Sequence, residues 1–156
     1  MDASADQGIL TTIAGLADLA GSELGTTDWR EMTQDEVNAF ADATGDHQFV
    51  HVDPERARET PFGGTIAHGF LTLSLVAPIT QRLLHVTDAG MAVNYGLDRV
   101  RFPAPLPVGA YWRGVATVSE VRPIEGGVQV HVTATVEVRD RPKPAMVADC
   151  LLRFYA

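Results

Sequence analysis

The sequence has little or none of several features that would assign it to particular classes of protein. Cys150 is the only cysteine among the 156 residues, so no disulfide can form within the chain and a reducing compartment, the cytoplasm, is expected. No apolar run approaches the ~18 residues that a membrane-spanning helix requires, and the amino terminus lacks the basic and apolar segments of a signal peptide. The net charge of −8 argues against general nucleic-acid binding. We therefore expect a cytoplasmic protein with no nucleic-acid or membrane partner.

The length and the apolar content predict one domain. A chain of this size buries roughly 70% of its unfolded surface, and 46% of the residues are hydrophobic, which is enough for a core without crosslinks. We expect a single domain over residues 1–156, in which the small, polar and acidic residues 1–8 form a loose tail.

The first part of the chain carries helix signals. Apolar residues recur at helical spacing over residues 9–20, and residues 26–32 are a short strand candidate. Thr33 and Glu36 match a capping box at the start of a helix. Gly45 stands where a left-handed residue would end that helix.

The most apolar segment, residues 70–84, predicts a helix that is buried on most sides. Pro78 lacks the N–H that would bond to the preceding turn, so we expect a kink near Ser74 or Leu75.

From Met91 onward the apolar period changes to two, which is typical of strands. Four long strands are predicted, at residues 93–102, 111–121, 128–138 and 145–155. A turn at residues 125–127 makes a hairpin of the second and third. The sum is an α+β fold in which an antiparallel sheet wraps around one long helix. Such a sheet leaves a face uncovered unless a second copy packs on it, so we expect a homodimer.

Asp46 and His51 form the first candidate for chemistry. They lie five residues apart in a predicted loop, where a carboxylate and an imidazole can converge on one water and transfer protons near neutral pH. Asp46 would also orient His51. The alternative is that Asp46 caps a turn and His51 is a structural loop histidine, and spacing alone leaves both interpretations open.

Gly69 is the second candidate. It follows His68 at the start of the apolar helix, where the first N–H groups have no helical partner. Such an N–H suits a developing oxyanion, a contact worth ~3 kcal/mol in known enzymes. The alternative is a glycine needed only for tight packing.

The remaining reactive side chains have structural explanations. Asp53 precedes Pro54 and is expected to cap a helix, with no catalytic role. Cys150 alternates with apolar residues on a core face, so we interpret it as a small buried hydrophobe. No zinc pattern matches the histidine spacing, and no metal is predicted. Three further histidines are expected at structural or surface positions: His47, His85 and His131.

Two runs, ADATGDHQFVHVDPERA and GGTIAHGFLTLSL, together resemble the motif of the MaoC-like (R)-specific enoyl-CoA hydratases, which have a hot-dog fold. The later piece NYGLDRVRFPAPLPVG and the closing strands extend the resemblance over about residues 25–156. Gln48 and Phe49 stand where that family often has Asn-Pro, which changes the shape of the loop and leaves both acid/base side chains in place.

The resemblance implies an enzyme, a hydro-lyase of fatty acid metabolism. It would add water reversibly and syn to a trans-2-enoyl-CoA or acyl-carrier thioester, giving an (R)-3-hydroxyacyl thioester without a cofactor. Asp46 and His51 would activate the water, and the Gly69 N–H would hold the thioester oxygen. Ala77 occupies a position where some members have a serine that lines the site.

The resemblance also implies substrate contacts. The acyl chain would lie along Phe70, Leu73 and the sheet, with His68 beside it. A polyanionic CoA or phosphopantetheine arm on an acidic protein needs a local basic patch. Four side chains are candidates, although each could equally be a solvated surface residue: Arg99, Arg101, Arg141 and Lys143.

Two rival functions remain. A hot-dog acyl-CoA thioesterase often places a carboxylate on the central helix, but no Asp or Glu occurs between His68 and Arg82. A non-catalytic, nodulation-N-like protein would bind acyl thioesters without turnover. The intact Asp46 and His51 pair counts against this second rival and leaves it open.

Overall fold

A six-stranded antiparallel sheet packs on two consecutive helices in the computed structural model, which describes residues 8–156. The strands are β1 (Ile9–Thr11), β2 (Glu23–Thr26), β3 (Arg30–Glu31), β4 (Leu84–Val86), β5 (Met91–Arg101), β6 (Tyr111–Ile124), β7 (Gly127–Val138) and β8 (Met146–Tyr155). The helices are α1 (Gln34–Thr44), α2 (Phe49–Val52), α3 (Pro54–Arg58), α4 (Gly69–Ser74) and α5 (Val76–Leu83), and Ala14–Leu19 forms a 3-10 helix.

The sheet has the order β2-β6-β7-β8-β5, and β3 also pairs with β6. The four long strands and the α+β class are confirmed, with boundaries shifted by up to three residues. Ile124 pairs with Gly127 across the predicted hairpin turn. A separate parallel pair joins β1 to β4. Edge strand β5 pairs with β8 alone among the described residues, so its other edge is open.

The core lies between the inner face of the sheet and helix α5. Alternate residues of β7 are buried there, including Val132 and Val136. Gly114 on β6 lets the helix approach closely, since a Cβ at this position would lie 2.3 Å from Cγ1 of Ile79. The buried apolar side chains of helix and sheet form one cluster, which fixes where α4 begins.

The predicted long helix is two helices. They are separated at Leu75, where the predicted kink is confirmed. Pro78 has no N–H to donate to the Ser74 carbonyl, so the regular ladder resumes with the Ile79 N–H to Leu75 O bond of 3.1 Å. The prediction of burial on most sides was wrong, because the helices bury only the face that meets the sheet. Phe70 is 74% exposed.

Two predictions near the amino terminus were also wrong. Residues 9–20 do not form one helix, because Ile9–Thr11 pairs with Leu84–Val86 and only the part from Ala14 is helical. Residues 26–32 do not form one strand, and Trp29 lies between β2 and β3. The predicted tail of residues 1–8 lies outside the described residues except for Gly8, which packs against the backbone of Arg82.

Between residues 8 and 156, no helix combines the length and the apolar character that a membrane crossing would require.

Candidate active site

Helix α1 sets the position of Asp46. Its capping box is present in full, since Thr33 accepts from the Glu36 N–H at 3.2 Å and Glu36 accepts from the Thr33 N–H at 3.0 Å. Gly45 ends the helix with φ 81°, a left-handed conformation that favours glycine. The next residue, Asp46, is exposed, and its carboxylate accepts the Gln48 N–H at 3.3 Å. The carboxylate is therefore accessible from solvent.

His51 lies in the one-turn helix α2, where the sequence predicted a loop. It is buried, and its Nδ1 lies 2.7 Å from the carbonyl oxygen of Ile66. A carbonyl only accepts, so Nδ1 carries a proton, and in the neutral imidazole the lone pair is then on Nε2. The Ile66 carbonyl thus orients the ring, a task that the sequence assigned to Asp46. Asp53 caps helix α3 as predicted.

Gln34 ties the elements of the site together. Its Nε2 donates to the backbone carbonyl of His51 at 2.7 Å, and its Oε1 accepts from Thr65 Oγ1 at 2.6 Å. The backbone of the same segments is joined by the Ile66 N–H to Val50 O bond of 3.0 Å. These hydrogen bonds therefore fix helices α1 and α2 and residues 65–66, just before α4, relative to one another.

His68 is buried and contacts both Asp46 and His51. Its ring stacks on that of His51 with centroids 3.8 Å apart and planes 25° apart, and only 2% of the residue is exposed. Its Nε2 lies 2.9 Å from the backbone carbonyl oxygen of Asp46, so this nitrogen carries the proton. Its Nδ1 is buried and has no hydrogen-bond partner among residues 8–156. An unpaired buried acceptor costs about 1–3 kcal/mol.

Gly69 is the first residue of α4, as predicted, and its N–H is one of the groups without an intrahelical acceptor. The ring of Phe102 lies against it, and a Cβ on Gly69 would be 3.2 Å from that ring. The sequence analysis did not single out Phe102. A half-exposed aromatic just after a strand has no periodic signal, and only the fold brings it to the helix start.

These residues form one cluster. One ligand atom from each of Asp46, His51 and His68 lies within 4.8 Å of the others, and the start of α4 follows directly. Asp46 opens to solvent, whereas the two rings are buried. A carboxylate, an imidazole lone pair and a free N–H can together move a proton and stabilise an oxyanion.

An open groove lies between the exposed side of α4 and α5 and strand β5. One cavity, of about 310 Å³, is lined by Leu73, Ser74, Ala77 and Leu97. A second, of about 460 Å³, shares Ala77 and Asn94 with the first and continues to His85 and Met91. Leu73 therefore lines the groove, whereas Phe70, its predicted partner, projects into solvent in the single chain.

The four predicted basic contacts lie in two places. Arg99 and Arg101 are on β5, and Arg101 immediately precedes Phe102. Arg141 and Lys143 line a cavity of about 300 Å³ that also contains Trp29, on the outer face of the sheet. The side chains of both pairs lie on the outer face of the sheet, since Arg99 and Arg101 pair with Asp149 and Val147 of β8, which alternate with its core-facing residues. The fold therefore places neither pair on the face that packs against α4.

The other titratable side chains lie outside the cluster. His47 is exposed, and its hydrogen bond to Asp42 at 2.8 Å raises its pKa. His85 is exposed, and His131 faces Asp98 on the outer side of the sheet. Burial raises the pKa of the Cys150 thiol to about 12, so the thiolate is scarce at neutral pH.

An antiparallel sheet wrapped around a central helical segment, with an acid/base pair at the helix start, defines a hot-dog protein with a candidate active site. The family model for the MaoC like domain matches residues 16–140. The chain therefore belongs to the MaoC-like domain family.

Similar proteins include curated relatives and solved structures. The chain is 50% identical over 146 residues to 3-hydroxyacyl-thioester dehydratase Z of Mycobacterium tuberculosis, covering 93% of this chain and 97% of that protein. It is 44% identical to nodulation protein N of Rhizobium leguminosarum, covering 88% of each. The unliganded (R)-hydratase PhaJ1 of Pseudomonas aeruginosa superposes with a TM-score of 0.72 at 21% identity, covering 87% of this chain and 81% of that chain. This last similarity concerns the fold alone.

Proposed function

We propose that this chain is an (R)-specific enoyl-CoA hydratase, a 3-hydroxyacyl-thioester dehydratase when it runs in reverse. The observation that carries the proposal is the cluster of the Asp46 carboxylate and the His51 imidazole at the start of helix α4. The 50% identity to a 3-hydroxyacyl-thioester dehydratase over nearly the whole chain supports the same reaction.

The proposed mechanism uses the protonation states that the hydrogen bonds require. A water held between Asp46 and the Nε2 lone pair of His51 attacks C3 of the trans-2-enoyl thioester and gives its proton to this pair. Electrons move from the C2–C3 double bond to the thioester oxygen, where the Gly69 N–H stabilises the enolate. The pair returns a proton to C2 on the same face, so water is added syn. Its hydroxyl group is then on C3 and its second hydrogen is balanced by the proton on C2.

The residues of the groove would hold the rest of the substrate. The acyl chain would pass from Gly69 along Leu73 and Ala77, where the cavity is apolar. Arg99, Arg101 and Lys143 remain candidates for the phosphates of CoA or of an acyl-carrier phosphopantetheine, at positions on the outer face of the sheet.

The reaction as proposed requires neither a metal nor a cofactor. The ligand atoms of Asp46, His51 and His68 lie within 4.8 Å of one another, and the proposed proton transfer uses the carboxylate and the imidazole directly.

We further propose that the chain acts in the cytoplasm as one domain and as a homodimer. Support for the dimer comes from the open edge of β5 and from the large apolar side chains exposed beside it, Phe70, Leu97 and Phe102. A second copy would cover this face and close the groove. A thioesterase is not favoured, because α4 and α5 carry no carboxylate.

The test is hydration of crotonyl-CoA, followed by the loss of enoyl absorbance. Asp46→Asn and His51→Gln should each lower kcat by ~10²–10⁴, the usual effect of losing an acid or base. Asp42→Asn is the matched control. It changes an exposed carboxylate on α1, the helix that ends just before Asp46, and its kcat should stay within about twofold of the wild type. Unchanged activity in both site variants would contradict the assignment, and release of free thiol in place of absorbance loss would favour a thioesterase.

A further inference from the structure

We propose that His68 is a positioning residue that holds both members of the acid/base pair, the Asp46 backbone by a hydrogen bond and the His51 ring by stacking. The inference rests on the proposed function and adds to it a role for a residue that does not touch the substrate. The sequence placed His68 among the substrate contacts, but only 2% of the residue is exposed.

The hydrogen bond is the first link. Asp46 follows the left-handed Gly45 in an exposed segment, where its N–H makes a long, 3.4 Å bond to Thr44 Oγ1. The Nε2–H of His68, at 2.9 Å from the Asp46 carbonyl oxygen, joins this exposed residue to the buried start of α4. A backbone held in this way limits where the Asp46 carboxylate can point.

Stacking is the second link. One face of the His51 ring lies against His68 at 3.8 Å, and the Nδ1–H bond to Ile66 fixes rotation within the plane. Phe40 lies 4.9 Å from the His68 ring and supports it in turn. Together these contacts leave the His51 lone pair on Nε2 with one orientation, which general-base catalysis needs.

The unpaired Nδ1 of His68 bears on why a histidine occupies this position. Among residues 8–156 this buried atom has no hydrogen-bond partner. A purely structural site would be better filled by a side chain without such an atom, so an unsatisfied group at a functional site calls for an explanation. Here one small ring both stacks on His51 and donates from Nε2, and its second nitrogen is left buried.

Two substitutions separate the two links. His68→Phe keeps a ring against His51 and removes the donor to Asp46, whereas His68→Gln keeps an N–H donor and removes the ring. On crotonyl-CoA we expect each to lower kcat by about tenfold or more while KM stays within about threefold, since neither contact is to the substrate. Val118→Ala, a fully buried change on β6, is the control for loss of stability and should leave kcat within about twofold.

A double-mutant cycle distinguishes positioning from general loosening. If His68 acts through the pair, adding His68→Phe to Asp46→Asn should cost less than about threefold more, because effects of residues that act as one unit are not additive. Full multiplication of the two losses, a raised KM at unchanged kcat, or full activity in both His68 variants would overturn the proposal. Inactive wild-type protein would instead overturn the proposed function.

The protonation pattern can be measured in the unmodified protein, whether or not the variants fold. Ring ¹⁵N–¹H correlation spectra should show His68 protonated at Nε2 and His51 at Nδ1. A His68 ring protonated at Nδ1 could not donate to Asp46, and this result would also overturn the proposal.

Discussion

At the scale of single residues, the site depends on which groups are free to act. His51 and His68 each have one nitrogen bonded to a backbone carbonyl, and within residues 8–156 the Asp46 carboxylate accepts a single 3.3 Å bond, from the Gln48 N–H. The Gly69 N–H is free because it is at the first position of a helix. The availability of this N–H therefore depends on the position of residue 69 in the helix more than on the type of residue.

The role of the Gly69 N–H can be tested by removing it alone. Proline suits the first helical position and requires an extended residue before it, and His68 has φ −59° and ψ 144°. Gly69→Pro should therefore keep the helix and lose the N–H, which we expect to lower kcat by about 10²–10³. The measurement is kcat on crotonyl-CoA, with circular dichroism to check the fold.

Gly69→Ala is the control for the added bulk. Its Cβ would lie 3.2 Å from the Phe102 ring, which is half-exposed and can shift. We expect a loss below about tenfold, from this displacement alone. Equal losses in the two variants would mean that the oxygen does not depend on this N–H.

At the scale of elements, short helices are held in place by side chains from their neighbours. Helix α2 has four residues and carries His51, and a helix so short has little stability of its own. Gln34, at the start of α1, supplies part of the missing stability through its bonds to His51 O and Thr65 Oγ1. The position of α1 thus decides where the His51 imidazole lies.

Replacing this bridge should reduce both stability and turnover. Gln34→Met keeps the length of the side chain and removes both bonds, so we expect about 1–3 kcal/mol less unfolding free energy in urea at fixed protein concentration, with a lower kcat. Asn38→Ala is the control, since it removes an exposed acceptor of the same Gln34 amide and leaves the bridge to α2. Unchanged kcat in Gln34→Met would show that α2 holds His51 without the bridge.

At the scale of the whole molecule, one face of the single chain exposes a strand edge and apolar side chains. Strand β5 is exposed along nearly its full length, and one of its edges has no partner strand among the described residues. The groove beside it is open, and the apolar side chains of Phe70 and Leu97 face solvent. An exposed edge with apolar neighbours favours association with another copy.

The dimer can be measured by light scattering after size exclusion. We expect twice the 16.8 kDa chain mass for the wild type and a shift toward the single chain for Leu97→Lys, because a charge would be buried in the interface. Tyr111→Lys is the control, since Tyr111 is exposed on β6, which β7 and β8 separate from β5. A monomeric wild type, or an equal effect of both changes, would contradict the proposed interface.

Much of the fold followed from local patterns. The period-two alternation predicted the four long strands, the capping box and Gly45 predicted α1, and Pro78 predicted the break at Leu75. The failures came where tertiary contacts override local preference. Ile9–Thr11 has helical spacing but gains a parallel partner in Leu84–Val86, and a strand around Trp29 is broken so that β2 and β3 both reach β6.

The sequence by itself determined the chemistry that is available, because residue types and their spacing fix which groups follow a helix end and which begin one. Asp46, His51 and Gly69 were candidates on this basis, and the resemblance to the MaoC-like hydratases favoured their catalytic interpretation over the structural one. Only the tertiary structure decided that His68 stacks on His51, that Phe102 lies against Gly69, and that Arg99 and Lys143 both lie on the outer face of the sheet. These are contacts between segments far apart in the chain, and no local pattern encodes a distance that depends on how the sheet curves around the helices.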